Sequence, residues 1–349
     1  MCILIFVSCG SGQGNDILPF ITFSFIPAYG SFDDLVGRVA GVTTTQYKVA
    51  VYIFVWGWYN KPTWGSPATA IQPNGTWVTD ITTGGNDELA TKIAAFLIPD
   101  TYNPPLMNGE ANLPQALYNN AVTHVEAERQ PPADFTFSGY DWIIKQSNTP
   151  VGPGPNRFSD DSEDVWVDAQ GGLHLKIVKK GDDWYCTEVY TTASLGYGTY
   201  RFVLESAIDQ IDRNVVLGLF TWDDEAPENH YREMDIEFSQ WGEVLNENTQ
   251  YVVQPWETPE NLHRFDTLLQ GTFSTHLFQW TAEAITFASY QGRLPILGEL
   301  IHTWTYEGAD VPPAGGAHTR INLWLNNGTP PSDGQPVEVV IASFEFIPE

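Results

Sequence analysis

The sequence predicts an all-β protein, built as a small N-terminal β-sandwich module followed by a two-sheet antiparallel jelly-roll sandwich. Three observations carry that expectation. Aromatic residues make up 13% of the 349, with 13 Trp, beside 30 Gly and 24 Pro; this is the composition of short strands joined by many turns. Strand-like alternation recurs along the chain, and no long amphipathic helical period replaces it. A polar, Pro-bearing stretch, Ala127-Glu128-Arg129-Gln130-Pro131-Pro132-Ala133-Asp134, reads as the boundary between two domains. The expected organisation is a signal-peptide remnant and spacer over 1–16, a β-sandwich module over 17–127, a linker over 128–134 and the jelly roll over 135–349.

Taken in order, the N-terminus Met1-Cys2-Ile3-Leu4-Ile5-Phe6-Val7-Ser8-Cys9-Gly10 has the character of the end of a secretory signal. Its apolar run is too short to span a bilayer, and it lacks a positive n-region. Val7-Ser8-Cys9-Gly10 resembles a bacterial lipobox, with Phe6 where Leu is usual. Export is expected, to the medium or to a lipid anchor at Cys9 on the bacterial cell surface.

The next segment opens with alternation at Ile21-Thr22-Phe23-Ser24-Phe25-Ile26. Strand signals follow over 47–55 and 75–81, punctuated by Pro62, Pro67 and Asn74-Gly75. Residues 91–99 read as either a short helix or a buried strand. Trp56, Trp58, Tyr59 and Trp64 cluster beside Lys61-Pro62, either as a sugar-stacking platform or as core and turn packing. From Phe135 onward strands recur at 173–178, 198–204, 284–288 and 337–341, a density that suits a two-sheet sandwich.

Composition excludes several function classes. A net charge of −27 argues against nucleic-acid phosphates and anionic membrane surfaces as partners and is compatible with a neutral polymer. The three cysteines, Cys2, Cys9 and Cys186, exclude a disulfide framework, and Cys186 is expected to pack as a small apolar residue. Phosphate-loop, dinucleotide, HExxH and CxxC patterns are absent from the sequence, as is a Gly-x-Ser-x-Gly elbow. No cofactor is needed for the chemistry considered below, and a monomer without a transmembrane segment is expected.

The most informative stretch is Glu233-Met234-Asp235-Ile236-Glu237-Phe238. As a strand it places Glu233, Asp235 and Glu237 on one face and Met234, Ile236 and Phe238 on the other. In a chain this acidic the six-residue pattern is expected by chance roughly 0.05 times. A solvated acidic edge strand is one reading. The other is that crowded carboxyls keep one acid protonated and another ionised, the division of labour that glycoside hydrolysis requires.

The stretch matches the Glu-x-Asp-x-Glu signature of glycoside hydrolase family sixteen, the retaining β-glucanase and galactanase jelly rolls, and residues 135–349 resemble that family in further ordered marks. Trp184-Tyr185-Cys186-Thr187-Glu188 and Gly196-Tyr197-Gly198-Thr199-Tyr200-Arg201-Phe202 resemble the strand pair before its catalytic strand. Gly218-Leu219-Phe220-Thr221-Trp222 resembles the aromatic strand facing the cleft. His276-Leu277-Phe278-Gln279-Trp280 resembles its His-x-Phe-x-Trp strand, with Gln291-Gly292 where Asp-Gly is common. Ile321-Asn322-Leu323-Trp324 resembles the late strand that supplies an Asn and a Trp.

The resemblance implies a concave substrate cleft. In it Glu233 is the nucleophile, Glu237 the general acid/base, and Asp235 the group that hydrogen-bonds and orients the nucleophile. It implies a substrate-binding lining of Glu188, Phe220, Trp222, Asn322 and Trp324, with Trp241, Gln254 and His276 as further candidates. Trp222 and Trp324 would stack on sugar rings, while Glu188 and Asn322 would meet hydroxyls. A structural calcium ion is common in this fold, and the sequence assigns it no residues. Residues i and i+4 of a strand lie about 13 Å apart at Cα, whereas a retaining pair needs carboxyls about 5–5.5 Å apart, so the strand must curve with its acids on the concave side. The absence of an extra residue before Glu237 resembles the unbulged licheninase and xyloglucan-type branches.

The function expected is thus a retaining endo-glycosidase acting on β-linked glucans or galactans. A non-catalytic lectin-like protein of the same architecture and a transglycosylase using the same residues are the alternatives; a structural surface protein is a further one if the aromatics are buried.

Overall fold

The computed structural model describes residues 18–293 and 298–349. The expected signal remnant, spacer and lipobox therefore lie outside the described residues. The chain divides into two compact units, Met1–Pro131 and Pro132–Glu349.

In the first unit, a three-stranded sheet (Phe20–Phe25, Leu35–Ala40, Thr76–Thr79) and a six-stranded sheet centred on Tyr47–Phe54 and Lys92–Pro99 form the two layers. Within residues 91–99, open between helix and strand in sequence, Lys92–Pro99 is a strand paired on both sides. Both central strands are nearly continuous apolar runs because both of their faces are covered. Val49, Val51, Ile93 and Ala95 pack with Ile21, Leu35 and Trp77, whereas Tyr52, Ala94 and Phe96 pack with Leu113 and Leu117. The last strand runs to Glu128, which pairs with Lys92. Arg129 is buried, and its guanidinium donates to the carbonyls of Ala28 (2.9 Å) and Glu88 (2.5 Å). The first unit thus extends past the expected start of the linker.

The second unit is a sandwich of two antiparallel sheets. The front sheet runs, strand by neighbouring strand, Phe135–Phe137, Tyr140–Ile144, Asp183–Ser194, His318–Leu325, Val215–Trp222, Met234–Phe238, Thr249–Val253, Leu262–Phe265. The back sheet runs Val165–Val167, Leu173–Lys180, Val337–Pro348, Gly198–Glu205, Phe273–Trp280, Ile285–Gln291, Leu300–Tyr306. The two stretches expected as a strand pair before the acid strand fall in opposite sheets. Asp183–Ser194 starts as the hairpin partner of Leu173–Lys180 and from Thr187 onward joins the front, whereas Gly198–Glu205 joins the back.

Alternation explains most of these strands. Leu173, Leu175 and Ile177 are buried while His174, Lys176 and Val178 are partly exposed. The inward faces of both sheets meet in one core that includes Phe202, Leu217, Leu219, Met234, Ile236, Phe238, Tyr251, Phe278, Phe287, Ile321 and Leu323. Cys186 is buried in it as a free thiol. Burying Met234, Ile236 and Phe238 stabilises the sandwich by about 1.5–3 kcal/mol per side chain, which anchors their strand against the cost of confining three acids on its other face.

Candidate active site

Met234–Phe238 is a central strand, between Val215–Trp222 and Thr249–Val253. Glu233 precedes it in extended conformation, at φ −86° and ψ 127°. The expected alternation therefore holds, but the strand has a paired neighbour on each side and is not a solvated edge. The acids share a face with Trp222, Phe220 and Gly218 on one neighbour and Gln250 on the other. Asp235 stands opposite Phe220, and Glu237 opposite Gly218 and Gln250. The next strand continues the rows, with Arg320 opposite Phe220 and Asn322 opposite Gly218. Glu188 stands opposite Asn322 on the strand beyond.

These rows enclose a cavity of about 420 Å³, lined by Glu233, Asp235 and Glu237 together with Glu188, Phe220, Trp222, Asn322, Trp324, Gly218, Lys145, Gly152, Pro153, Asp224 and Arg320. All three acids and the five principal lining residues named from sequence meet in one place. Trp222 pairs opposite His318 and Trp324 opposite Val216. The two indoles are thus six residues apart along the strand direction, roughly 20 Å, one at the Glu233 end and one beyond the Glu237 end. Trp222 lies flat on Tyr231, with centroids 4.3 Å apart and planes 6° apart, and its Nε1 donates to Asp224 at 2.8 Å. Trp324 meets the ring of Trp241 at 6.0 Å in an edge arrangement.

Electrostatics set the state of the acids. Burial, reinforced by the charge of Glu237, pushes the Glu233 carboxyl up to about 8; a hydrogen bond with Asp235 and the charge of Arg320 oppose the rise. Burial, then Glu233 and Glu237, raise Asp235 well above the usual carboxylate range. Burial pushes Glu237 up to about 7, against a hydrogen bond from Gln250 (2.7 Å) and the charge of Arg264, whose Nε in turn holds Gln250 at 2.9 Å. The triplet consequently retains protons near neutral pH, and these belong to the coupled group rather than to one residue. Protonated Asp235 can donate to Glu233 while accepting from Gln254 Nε2 at 3.2 Å.

Glu188 is almost wholly buried, and its oxygens are already engaged. Arg320 Nη1 and Lys145 Nζ each donate at 3.0 Å, and Asn322 Nδ2 lies at 3.4 Å. It anchors two cations in the wall of the cavity. Arg320 reaches on to Asp224 at 2.7 Å. Asn322 Oδ1 is buried without a partner, an acceptor that a hydroxyl in the cavity would satisfy. Gly218 makes the room: a methyl group there would lie 2.4 Å from that oxygen.

Two further candidates act from behind the lining. Gln254 supports Asp235 and Trp241 supports Trp324. His276 is placed elsewhere. It lies on the back sheet, fully buried, between Ser274 (2.8 Å) and Ser289 (2.7 Å), with its ring 4.7 Å from Phe238. Phe238 faces the core, so His276 is behind the acid strand and does not touch the cavity. Burial pushes its pKa down to about 3.

Lys145, Asp224 and Arg320 were missed from sequence. For Arg320 a signal existed, since it shares a strand face with Asn322 and Trp324 at two-residue spacing. For Lys145 and Asp224 none did, because both arrive from loops, Lys145 just after Tyr140–Ile144 and Asp224 just after Val215–Trp222. The turn before Glu233 was also silent in sequence. His230, Tyr231 and Arg232 all have positive φ, at 50°, 57° and 51°, where each non-glycine residue costs roughly 1–2 kcal/mol. Arg232 holds this turn through Asp223 (2.6 Å) and the Pro313 carbonyl (2.9 Å), and its own carbonyl accepts from Thr221 (2.8 Å). The turn also brings Tyr231 against Trp222.

Among the described residues no cluster of three or more His, Cys, Asp or Glu side chains is arranged to hold a metal ion. No helix among them is long and apolar enough to cross a membrane.

No family profile and no curated protein matches the chain. Solved structures do. A β-glucanase of Bacillus licheniformis is similar with a TM-score of 0.46 at 18% identity, over 62% of this chain and 96% of that one. A β-1,3-1,4-glucanase (lichenase) from a mouse hindgut metagenome is similar at TM-score 0.42 and 18% identity, over 63% and 98%. A structure described as an immunostimulatory antigen and pseudo β-1,3-glucanase of Mycobacterium tuberculosis is similar at 0.46 and 14%, over 63% and 96%. Two of these structural neighbours are named as β-glucanases and one as a pseudo β-1,3-glucanase, and the acid signature of this chain resembles that of glycoside hydrolase family sixteen.

Proposed function

We propose that this protein is a retaining endo-glycosidase that cleaves β-linked glucans or galactans by double displacement. The observation that carries the reading is the convergence of Glu233, Asp235 and Glu237 on one cavity in which burial keeps the triplet partly protonated. Double displacement needs one ionised carboxylate and one protonated carboxylic acid. Glu233 is assigned as the nucleophile by its place in the Glu-x-Asp-x-Glu signature; burial raises it to about 8, above Glu237, and the Asp235 hydrogen bond and the Arg320 charge oppose that rise. Glu237, up to about 7, holds a proton for the leaving oxygen and then takes one from the incoming water. Trp222 and Trp324 offer ring faces to pyranoses, and Asn322 Oδ1 accepts from a hydroxyl.

The test is Glu233→Gln assayed against laminarin, mixed-linkage glucan, xyloglucan, agarose and carrageenan, with products read by mass spectrometry. Turnover by wild type on at least one polymer, abolished in the variant with binding retained, is the expected outcome. Wild-type activity undiminished in the variant overturns the mechanism. Products longer than the starting oligosaccharides assign a transglycosylase. Binding without turnover in wild type assigns the lectin-like alternative.

A further inference from the structure

The first unit carries a cavity of its own, about 460 Å³, whose lining includes Trp56, Tyr59, Asn60, Lys61, Trp64 and Asp87. Two of these are unusual for a soluble surface. Trp56 is 79% exposed and Trp64 57% exposed, although an indole is normally among the most buried side chains on average. The expectation of an aromatic cluster at 56–64 therefore splits. Trp58 packs in the core, and Trp56 and Trp64 do not.

The exposure is built in. Trp56 has φ +57°, a region that a bulky residue adopts only under constraint. The constraint is a tight turn in which Val55 N–H donates to Gly57 O at 2.9 Å. Gly57 is wedged against Gly109, whose carbonyl oxygen would lie 2.5 Å from a methyl group added at Gly57. Trp64 rides on a second closed turn, where Ser66 N–H reaches both the carbonyl and Oγ1 of Thr63 at 3.2 Å.

The polar groups supply the other half of a site. Lys61 and Asp87 pair within the lining, and Asp87 also accepts from Gly84 N–H at 2.8 Å. The pair is neutral as a unit and offers no net charge to an ionic ligand. Asn60 is 3% exposed; its Oδ1 accepts from Met107 N–H at 3.2 Å, but its Nδ2 is buried with no partner. A buried donor left unmatched is costly, and a neutral hydroxyl entering the cavity would satisfy it.

We infer that this cavity is a second carbohydrate site, taking a neutral β-glucan chain with pyranose faces on Trp56 and Trp64 and a hydroxyl accepting from Asn60 Nδ2. Flat aromatic faces suit the apolar faces of pyranose rings, and a chain with net charge −27 disfavours anionic polymers at the same place. The choice of a β-glucan rests on the glycosidase reading above; the carbohydrate class rests on this cavity.

The test is affinity electrophoresis of the full chain in gels containing laminarin or mixed-linkage glucan, in a Glu233→Gln background so that polymer is not consumed. Trp56→Ala/Trp64→Ala is expected to weaken retardation at least fivefold, while the same pair of substitutions in the otherwise wild-type chain leaves hydrolysis of a short soluble oligosaccharide unchanged. Retardation equal to that of the parent, or a parent that neither glucan retards, overturns the proposal. A retardation difference that persists in a protein releasing no product from any glucan separates this site from the failure of the hydrolase reading.

Discussion

Arg320 Nη1 donates to the carboxylate of Glu188 at 3.0 Å, and both side chains are buried in the wall of the cavity that holds the acid triplet. Removing one member of a buried ion pair leaves the other uncompensated and typically costs about 3–5 kcal/mol. Lys145 remains on Glu188, so Arg320→Met is expected to cost about 2–4 kcal/mol. Glu188→Gln combined with Arg320→Met should recover at least about 1 kcal/mol relative to additivity. Chemical denaturation of the four proteins in the cycle measures this, and strict additivity would show the pair to be uncoupled.

Stability is expected to depend on pH from two sides. The triplet carboxyls have pKa values raised above their unfolded values, so the folded state binds more protons than the unfolded one between about pH 4.5 and 8. Stability then falls as pH rises through that window. Glu237→Gln removes part of the slope and should raise Tm by roughly 2–8 °C at pH 8, with little gain at pH 4. His276 is lowered to about 3. Between about pH 6.5 and 3 the unfolded chain takes up its proton first, and stability is lost as pH falls. His276→Asn should flatten that acid limb while leaving the alkaline one intact. Thermal melts across pH 4–9 check both signs.

Asp235 is expected to act through Glu233 by position as well as by charge. Asn at 235 can donate to Glu233 and accept from Gln254, the two bonds that Asp235 makes; Ala can make neither. Asp235→Ala should lower kcat on the order of 10²-fold with KM little changed, and Asp235→Asn should restore part of the loss. Steady-state kinetics on whichever glucan is cleaved decide it. A rise in KM at constant kcat would instead make Asp235 a binding residue.

Gly218 is expected to tolerate no side chain. A methyl there would lie 2.4 Å from Asn322 Oδ1 and 3.7 Å from the Phe220 ring, opposite Glu237 in the ladder. Gly218→Ala should cost about 1–3 kcal/mol from overpacking and reduce kcat/KM more than tenfold by displacing Asn322. Denaturation midpoints and kcat/KM on the same samples are the readouts. Unchanged kcat/KM would mean that Asn322 is not part of the lining that substrate touches.

The sequence by itself determined the period-two pattern of the strands, and with it which side of each strand carries chemistry. That was enough to put Glu233, Asp235 and Glu237 on one face and to group Asn322 with Trp324. It was not enough to tell a cavity from an exposed acidic edge, because alternation says nothing about what stands opposite. The ladder decided that, by placing the acid strand between two neighbours and setting Gly218 and Phe220 across from it, with Arg320 one strand further. His276 shows the same limit from the other side. Its strand was read correctly, but it belongs to the back sheet, and only the sandwich makes its ring a core contact of Phe238. Lys145, Asp224 and the left-handed turn 230–232 depend on contacts between residues far apart in the chain. The pKa shifts of the triplet likewise come from burial and from charges on other strands. Local periodicity survives in any register, whereas burial, opposite charges and enclosed space exist only once the sheets are paired and packed.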